Sequence, residues 1–167
     1  MPPTRLRRPI GACLAGALAL IGASCGGGDS AAGTCGPIAR EALDPAYLVH
    51  VLGDDTGVQY TSDPPTSGPH QAGPPVEGVV GEAITRPVQV GILERGDVLL
   101  QHTPDLPDAQ RRDLEALAGP GVVVAPNDDL PDPVVATAWT YKRTCSSVDV
   151  DQLRDFIDAR VGKGPES

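Results

Sequence analysis

Asp149-Val150-Asp151-Gln152-Leu153-Arg154-Asp155-Phe156-Ile157-Asp158-Ala159-Arg160-Val161-Gly162 is the stretch whose reading decides the fold class. Val150, Leu153, Phe156, Ile157 and Val161 recur at helical spacing and form one apolar stripe. Asp149 stands at the N-cap position with Gln152 at the reciprocal position of a capping box. Gly162 ends the pattern. Such a helix must bury its stripe against something, and the chain just before it supplies two candidates. Gly121-Val122-Val123-Val124-Ala125-Pro126 reads as a short buried strand, and Val134 through Tyr141 as another. In the second, Val135, Thr137, Trp139 and Tyr141 share one side, and Val134, Ala136 and Ala138 the other.

Further upstream the pattern continues. Asp105 is a candidate cap, with Pro107 in the first turn and Asp108 suited to the N-terminal dipole. Leu114, Leu117 and Ala118 then share a face that Gly119 ends. Val88, Val90 and Ile92 alternate with other residues and predict a half-buried strand. Asp97–His102 is its expected partner across a turn at Glu94–Asp97. Tyr47–Leu52 predicts a short strand, and Gly53–Gly57 a turn. From Ser62 to Gly78 proline and glycine dominate, so neither helix nor ladder strand is expected. The sum is an α+β fold: a single small domain of short, mostly antiparallel strands, two amphipathic helices and a proline-rich loop. Its expected span is 37–162, with residues 163–167 frayed.

The first residues have another character. Arg5, Arg7 and Arg8 precede an apolar run from Ile10 to Ile21, then Gly22-Ala23-Ser24 and Cys25. The run has the length of a signal-peptide core and is short of the roughly 20 residues that span a bilayer. Small residues before Cys25 match a bacterial lipobox in outline, although leucine is commoner where Gly22 stands. Residues 1–24 are therefore expected to be a lipoprotein signal and Cys25 the lipid site, with 25–36 a glycine-rich tether. Stable anchoring takes two or more acyl chains. The implied location is the cell membrane, lipid-anchored on its extracytoplasmic side. Without lipidation the same chain would be secreted.

Charge narrows the partners. The chain has 13 basic and 22 acidic residues, and residues 1–24 hold three basic and no acidic ones, which leaves a net −12 beyond them. That balance argues against nucleic acid and against a basic patch for anionic lipid. Of the four cysteines, Cys13 lies within the signal and Cys25 at the lipid site. Cys35 and Cys145 then form an even pair, expected to bridge outside the cytoplasm; the alternative is a free buried Cys145.

Tyr60 followed by Pro64-Pro65-Thr66-Ser67-Gly68-Pro69-His70 is the most distinctive stretch. It resembles the signature of the bacterial family called domain of unknown function 3105. His50-Val51, Leu93-Glu94, Pro104-Asp105-Leu106-Pro107, Leu130-Pro131 and Ala138-Trp139 follow the family's order, so the resemblance covers about residues 46–160. The family's second signature is usually a histidine, two residues, then Glu-His-Gly. Here it reads Gly91-Ile92-Leu93-Glu94-Arg95-Gly96, with Glu94 and Gly96 kept and both histidines replaced.

The resemblance implies a partial His/Glu site, with His50, His70 and Glu94 as candidate ligands of a divalent metal or copper and His102 as a further histidine. A catalytic zinc site takes about three protein ligands and an open position. Arg95 would repel a metal if it faced the same way. Each residue also has a plain structural role open to it: a hydrogen-bonded strand or loop histidine, a turn carboxylate, an exposed strand end. Ser67 with His70 as base is a further arrangement, but it lacks the context of a nucleophile elbow. Thr66, Ser67 and Gly68, rigidified by flanking prolines, can instead make a surface loop for a protein or other envelope partner. The leading expectation is a non-enzymatic binding or structural module of the envelope; the alternative is a metal-binding protein or metal-dependent enzyme.

Overall fold

The computed structural model describes Met1 and residues 34–53 and 57–167. The expected signal segment beyond Met1, Cys25, most of the tether and residues 54–56 of the expected turn lie outside the described residues. In chain order the elements are β1 (Ala39–Arg40), β2 (Gly78–Val79), α1 (Arg86–Glu94), β3 (Val98–His102), α2 (Asp108–Glu115), β4 (Val122–Pro126), β5 (Val134–Ala138), β6 (Tyr141–Cys145) and α3 (Val150–Arg160).

One six-stranded sheet runs in the order β1-β6-β5-β3-β4-β2. β1–β6, β6–β5 and β5–β3 are antiparallel, whereas β4 runs parallel to β3 and to β2. The fold is α+β. The parallel β3–β4 pair follows from α2, which carries the chain back to the starting end of the sheet. Both faces of the sheet are covered. Val98 and Leu100 pack with Val122, Val124, Leu114, Leu153 and Phe156 on one face. Leu99 packs with Val123, Ala125, Ile92 and Leu93 on the other. Two-sided burial is why 121–126 reads as an unbroken apolar run rather than an alternating one. Leu153 and Phe156 are fully buried, worth about 1.5–3 kcal/mol each.

Several expectations change. Val88, Val90 and Ile92 belong to helix α1, not to a strand. Pro87 sits in its first turn, where a missing N–H costs nothing, and Gln89, Ile92 and Leu93 are buried at helical spacing. There are thus three helices rather than two. Val134–Tyr141 is two strands, because the chain reverses at Trp139-Thr140. Thr140 takes φ 58°, a region β-branched residues avoid, so neither turn residue announces the hairpin. Tertiary bonds hold the turn: Thr140 donates its N–H to the Thr66 carbonyl (2.9 Å) and accepts from the Glu41 N–H (2.9 Å). Tyr47–Leu52 forms no strand. It makes one bridge, at His50, and leaves Leu48 and Leu52 exposed. The Ser62–Gly78 stretch carries the His70 half of that bridge, and its last residue begins β2.

The helix caps also differ in detail. Pro107, not Asp105, precedes α2, which ends at Glu115 before Gly119 is reached. Asp149 Oδ1 accepts the Gln152 N–H at 3.0 Å, but the Gln152 side chain does not return the bond. Its Oε1 accepts instead from Cys35 N–H (3.2 Å) and Arg143 (3.0 Å), tying α3 to the sheet edge.

Cys35 and Cys145 are joined by a disulfide across 110 residues; loop-closure entropy assigns such a bridge about 4–5 kcal/mol. The bridge and the Gly36 N–H to Thr144 carbonyl bond (2.8 Å) make the end of the expected tether part of the sheet edge. The residues after α3, expected to be frayed, carry backbone bonds. Gly162 N–H bonds to the Gly96 carbonyl (2.8 Å) and Glu166 N–H to the Glu94 carbonyl (3.1 Å), so the tail lies over the end of α1.

Candidate metal centre

Pro64 to His70 is buried throughout. The expectation of a surface loop there is overturned: Thr66 is 1% and Ser67 2% exposed. Its polar groups find partners inside. Thr66 Oγ1 donates to Glu41 Oε2 (2.7 Å), and Glu41 also pairs with Lys142 (2.9 Å). Burial raises the Glu41 carboxyl, but hydrogen bonds from Ser62, Lys142 and Thr66, with the Lys142 charge, outweigh it and hold it below its ordinary value. Tyr60 donates to the Pro69 carbonyl (2.9 Å). At Gly68, φ is 132° and a Cβ would meet the Tyr60 ring at 3.0 Å, so the position requires glycine.

This pinned loop delivers His70. Its N–H bonds to the Val49 carbonyl (2.9 Å), and its own carbonyl accepts from Val51 (2.8 Å). The parallel bridge sets the His50 and His70 rings edge to face, with centroids 4.5 Å apart. One residue on, Gln71 N–H bonds to the Pro87 carbonyl (3.0 Å), laying the chain along α1. The approach is close: a Cβ on Gly91 would stand 2.8 Å from the Gln71 carbonyl oxygen. Glu94, one turn beyond Gly91, then meets His70, with Nε2 and Oε2 2.7 Å apart.

The structure therefore brings together the three candidate ligands. One donor atom each from His50, His70 and Glu94 lies within 4.8 Å of the others. His50 is exposed, His70 buried and Glu94 half-buried. His50 and Glu94 border a pocket of about 120 Å³ shared with Gly91, Arg95 and Glu166. His102 is elsewhere, buried at the end of β3 with Nδ1 against the Thr103 carbonyl (2.9 Å). The Ser67 nucleophile arrangement fails. Ser67 Oγ is buried and accepts the Asp44 N–H (2.9 Å), and both His70 ring nitrogens are directed at other groups.

The state of His70 is chemically specific. Nδ1 lies 3.2 Å from the Gly68 carbonyl, to which it can only donate. A neutral ring so fixed carries its lone pair on Nε2. That atom is buried and makes no hydrogen bond of proper geometry, although the Glu94 oxygen stands 2.7 Å away. Two acceptors at that distance need a cation or proton between them. A carbonyl-oriented histidine beside a second histidine and a carboxylate is the donor set that zinc and similar ions take. Around a shared ion the N and O atoms stand about 3.4 Å apart, given bonds of about 2.0–2.2 Å. The His70–Glu94 contact would open slightly to admit one. Burial pushes the Glu94 carboxyl up; the His70, His50 and Arg95 charges oppose this and Glu166 adds to it. Arg95 does face the pocket, but its guanidinium is drawn 3.5 Å from Asp97 Oδ2. Glu166 was not legible as a pocket residue, because nothing periodic precedes it.

Fold and site together define a small α+β domain built around a His/Glu cluster beneath a buried Pro-Pro-Thr-Ser-Gly-Pro-His loop. Residues 50–167 match the family described as protein of unknown function (DUF3105), and the chain belongs to that family. No curated protein and no solved structure matches it. Gly91 and Arg95 line the same pocket as His50 and Glu94.

Gly91→Ala tests the close approach. Helix propensity alone favours alanine by about 1 kcal/mol, whereas overpacking against the Gln71 carbonyl costs about 1–3 kcal/mol. The expected result is a net loss of stability in denaturant unfolding; a gain would show that α1 can stand off without penalty.

Proposed function

We propose that this chain is a lipid-tethered extracytoplasmic module that binds one divalent transition-metal ion through His50, His70 and Glu94. The observation that carries the reading is the buried Nε2 of His70, 2.7 Å from Glu94 Oε2, with His50 and Glu94 donors within 4.8 Å. Two imidazoles and a carboxylate suit zinc, or cupric rather than cuprous copper. Three protein ligands leave a position open. Binding fits better than catalysis because the pocket, about 120 Å³, is well below the roughly 300–1,000 Å³ of small-molecule sites. Support for the location comes from the sequence before Cys25 and from the Cys35–Cys145 disulfide, a bond of oxidising compartments. Among the described residues no helix is long and apolar enough to cross a membrane.

A second reading rests on the same 2.7 Å contact. A protonated His70 paired with Glu94 would simply hold the buried loop on α1. Zinc titration by calorimetry separates the two. The metal reading expects one ion per chain and a loss of more than about 100-fold in affinity on His70→Ala, beyond the 10–100-fold typical of residues that only orient ligands. No uptake at low-micromolar zinc or copper leaves the ion pair. For the anchor, cells fed a clickable fatty acid should label the wild type and not Cys25→Ser; an unlabelled wild type would mean a secreted protein.

A further inference from the structure

The tail that follows α3 is bound to the metal site more closely than a simple chain end requires. Gly162 donates to the Gly96 carbonyl (2.8 Å) and Glu166 to the Glu94 carbonyl (3.1 Å). Between them Gly164 packs so tightly on Glu94 and Gly96 that a Cβ there would overlap backbone. Gly96 is equally constrained: its φ is 92°, and a Cβ would meet Ser167 at 2.8 Å and Gly164 at 3.0 Å. Two glycines without side chains thus let the tail cross the last turn of α1, at the level of a candidate ligand. The result is that Glu166 borders the same small pocket as His50 and Glu94.

We infer that Glu166 is the fourth protein ligand, and that the tail is a strap which the metal draws shut. This rests on the metal reading above. The Glu166 carboxylate stands outside the group of atoms within 4.8 Å, so it must turn inward to bind. The pocket that Glu166 shares with His50 and Glu94 is small, about 120 Å³. Charge favours the movement. Glu94, Glu166 and Arg95 face the pocket with a net single negative charge, which a divalent ion reverses and a third anion would worsen. Two imidazoles and two carboxylates complete a four-coordinate shell for zinc or a similar divalent ion. The same oxygen-rich set disfavours cuprous copper, which selects sulfur ligands. The site so completed stores or carries an ion and has no protein-free position for a substrate.

The test titrates Zn²⁺ into the full chain, Glu166→Gln and, as control, the exposed Glu82→Gln. Zinc should bind the wild type and the control alike, and Glu166→Gln at least about tenfold more weakly. Glu166→Cys loaded with Co²⁺ should add a thiolate-to-cobalt charge-transfer band that the wild type lacks. Wild-type affinity in Glu166→Gln overturns the inference and leaves the three-residue site standing. Weaker zinc binding without the cobalt band also overturns it, since Glu166 would then act by charge alone. A wild type that takes up no zinc removes the three-residue site and this inference with it.

Discussion

The contact between helix α1 and the buried chain at His70-Gln71 is the constraint on which the site depends. A helix and an extended segment rarely run so close, because side chains on the helix hold them apart. Gly91 removes that obstacle. The Pro87 carbonyl then accepts the Gln71 N–H, and Glu94 falls opposite His70. Neighbouring segments hold the extended partner in place. Glu41, Asp44 and Tyr60 bond to the loop, Lys142 pairs with Glu41, and the strained turn at Thr140 closes on it. A loop with few hydrogen-bonding partners of its own can be buried only if neighbouring segments supply them.

That arrangement explains what the sequence made legible and what it hid. Helix α3 was readable because its apolar stripe and its Asp149 cap are local features. The buried run at 121–126 was readable because both faces of β4 are covered. Helix α1 was misread because Val88, Val90 and Ile92 imitate a two-residue period, and nine residues are too few for the helical period to overrule it. The signals that favoured a helix, Thr85 followed by proline in the first turn, were present but brief. The β5–β6 hairpin was hidden for another reason. Its turn is held by tertiary bonds to Thr66 and Glu41, so Trp139-Thr140 needs none of the usual turn residues. The proline-rich loop was expected at the surface because proline and glycine usually lie there; its burial follows from partners 25 residues away in sequence, such as Glu41.

The site itself was legible in part. The family resemblance points to His50, His70 and Glu94, and the fold sets their donor atoms within 4.8 Å of one another. Sequence distance gave no hint of it, since the three residues span 44 positions and the link between them is a strand bridge and one helix–chain contact. Gly91 and Arg95 change meaning in this light. Both border the same pocket as His50 and Glu94. At 91 a side chain could not be restored without moving the Gln71 carbonyl. At the rim of the pocket an arginine, Arg95, is turned toward Asp97.

On the proposed reading the Nε2 lone pair of His70 is kept for a metal ion. Imidazole ¹⁵N resonances of the full chain, followed while Zn²⁺ is added, address it directly. One equivalent of zinc should shift His70 Nε2 to a metal-bound position while Nδ1 stays protonated on the Gly68 carbonyl. An Nε2 that stays protonated and unmoved through the titration would contradict it and leave His70 as the partner of Glu94 alone.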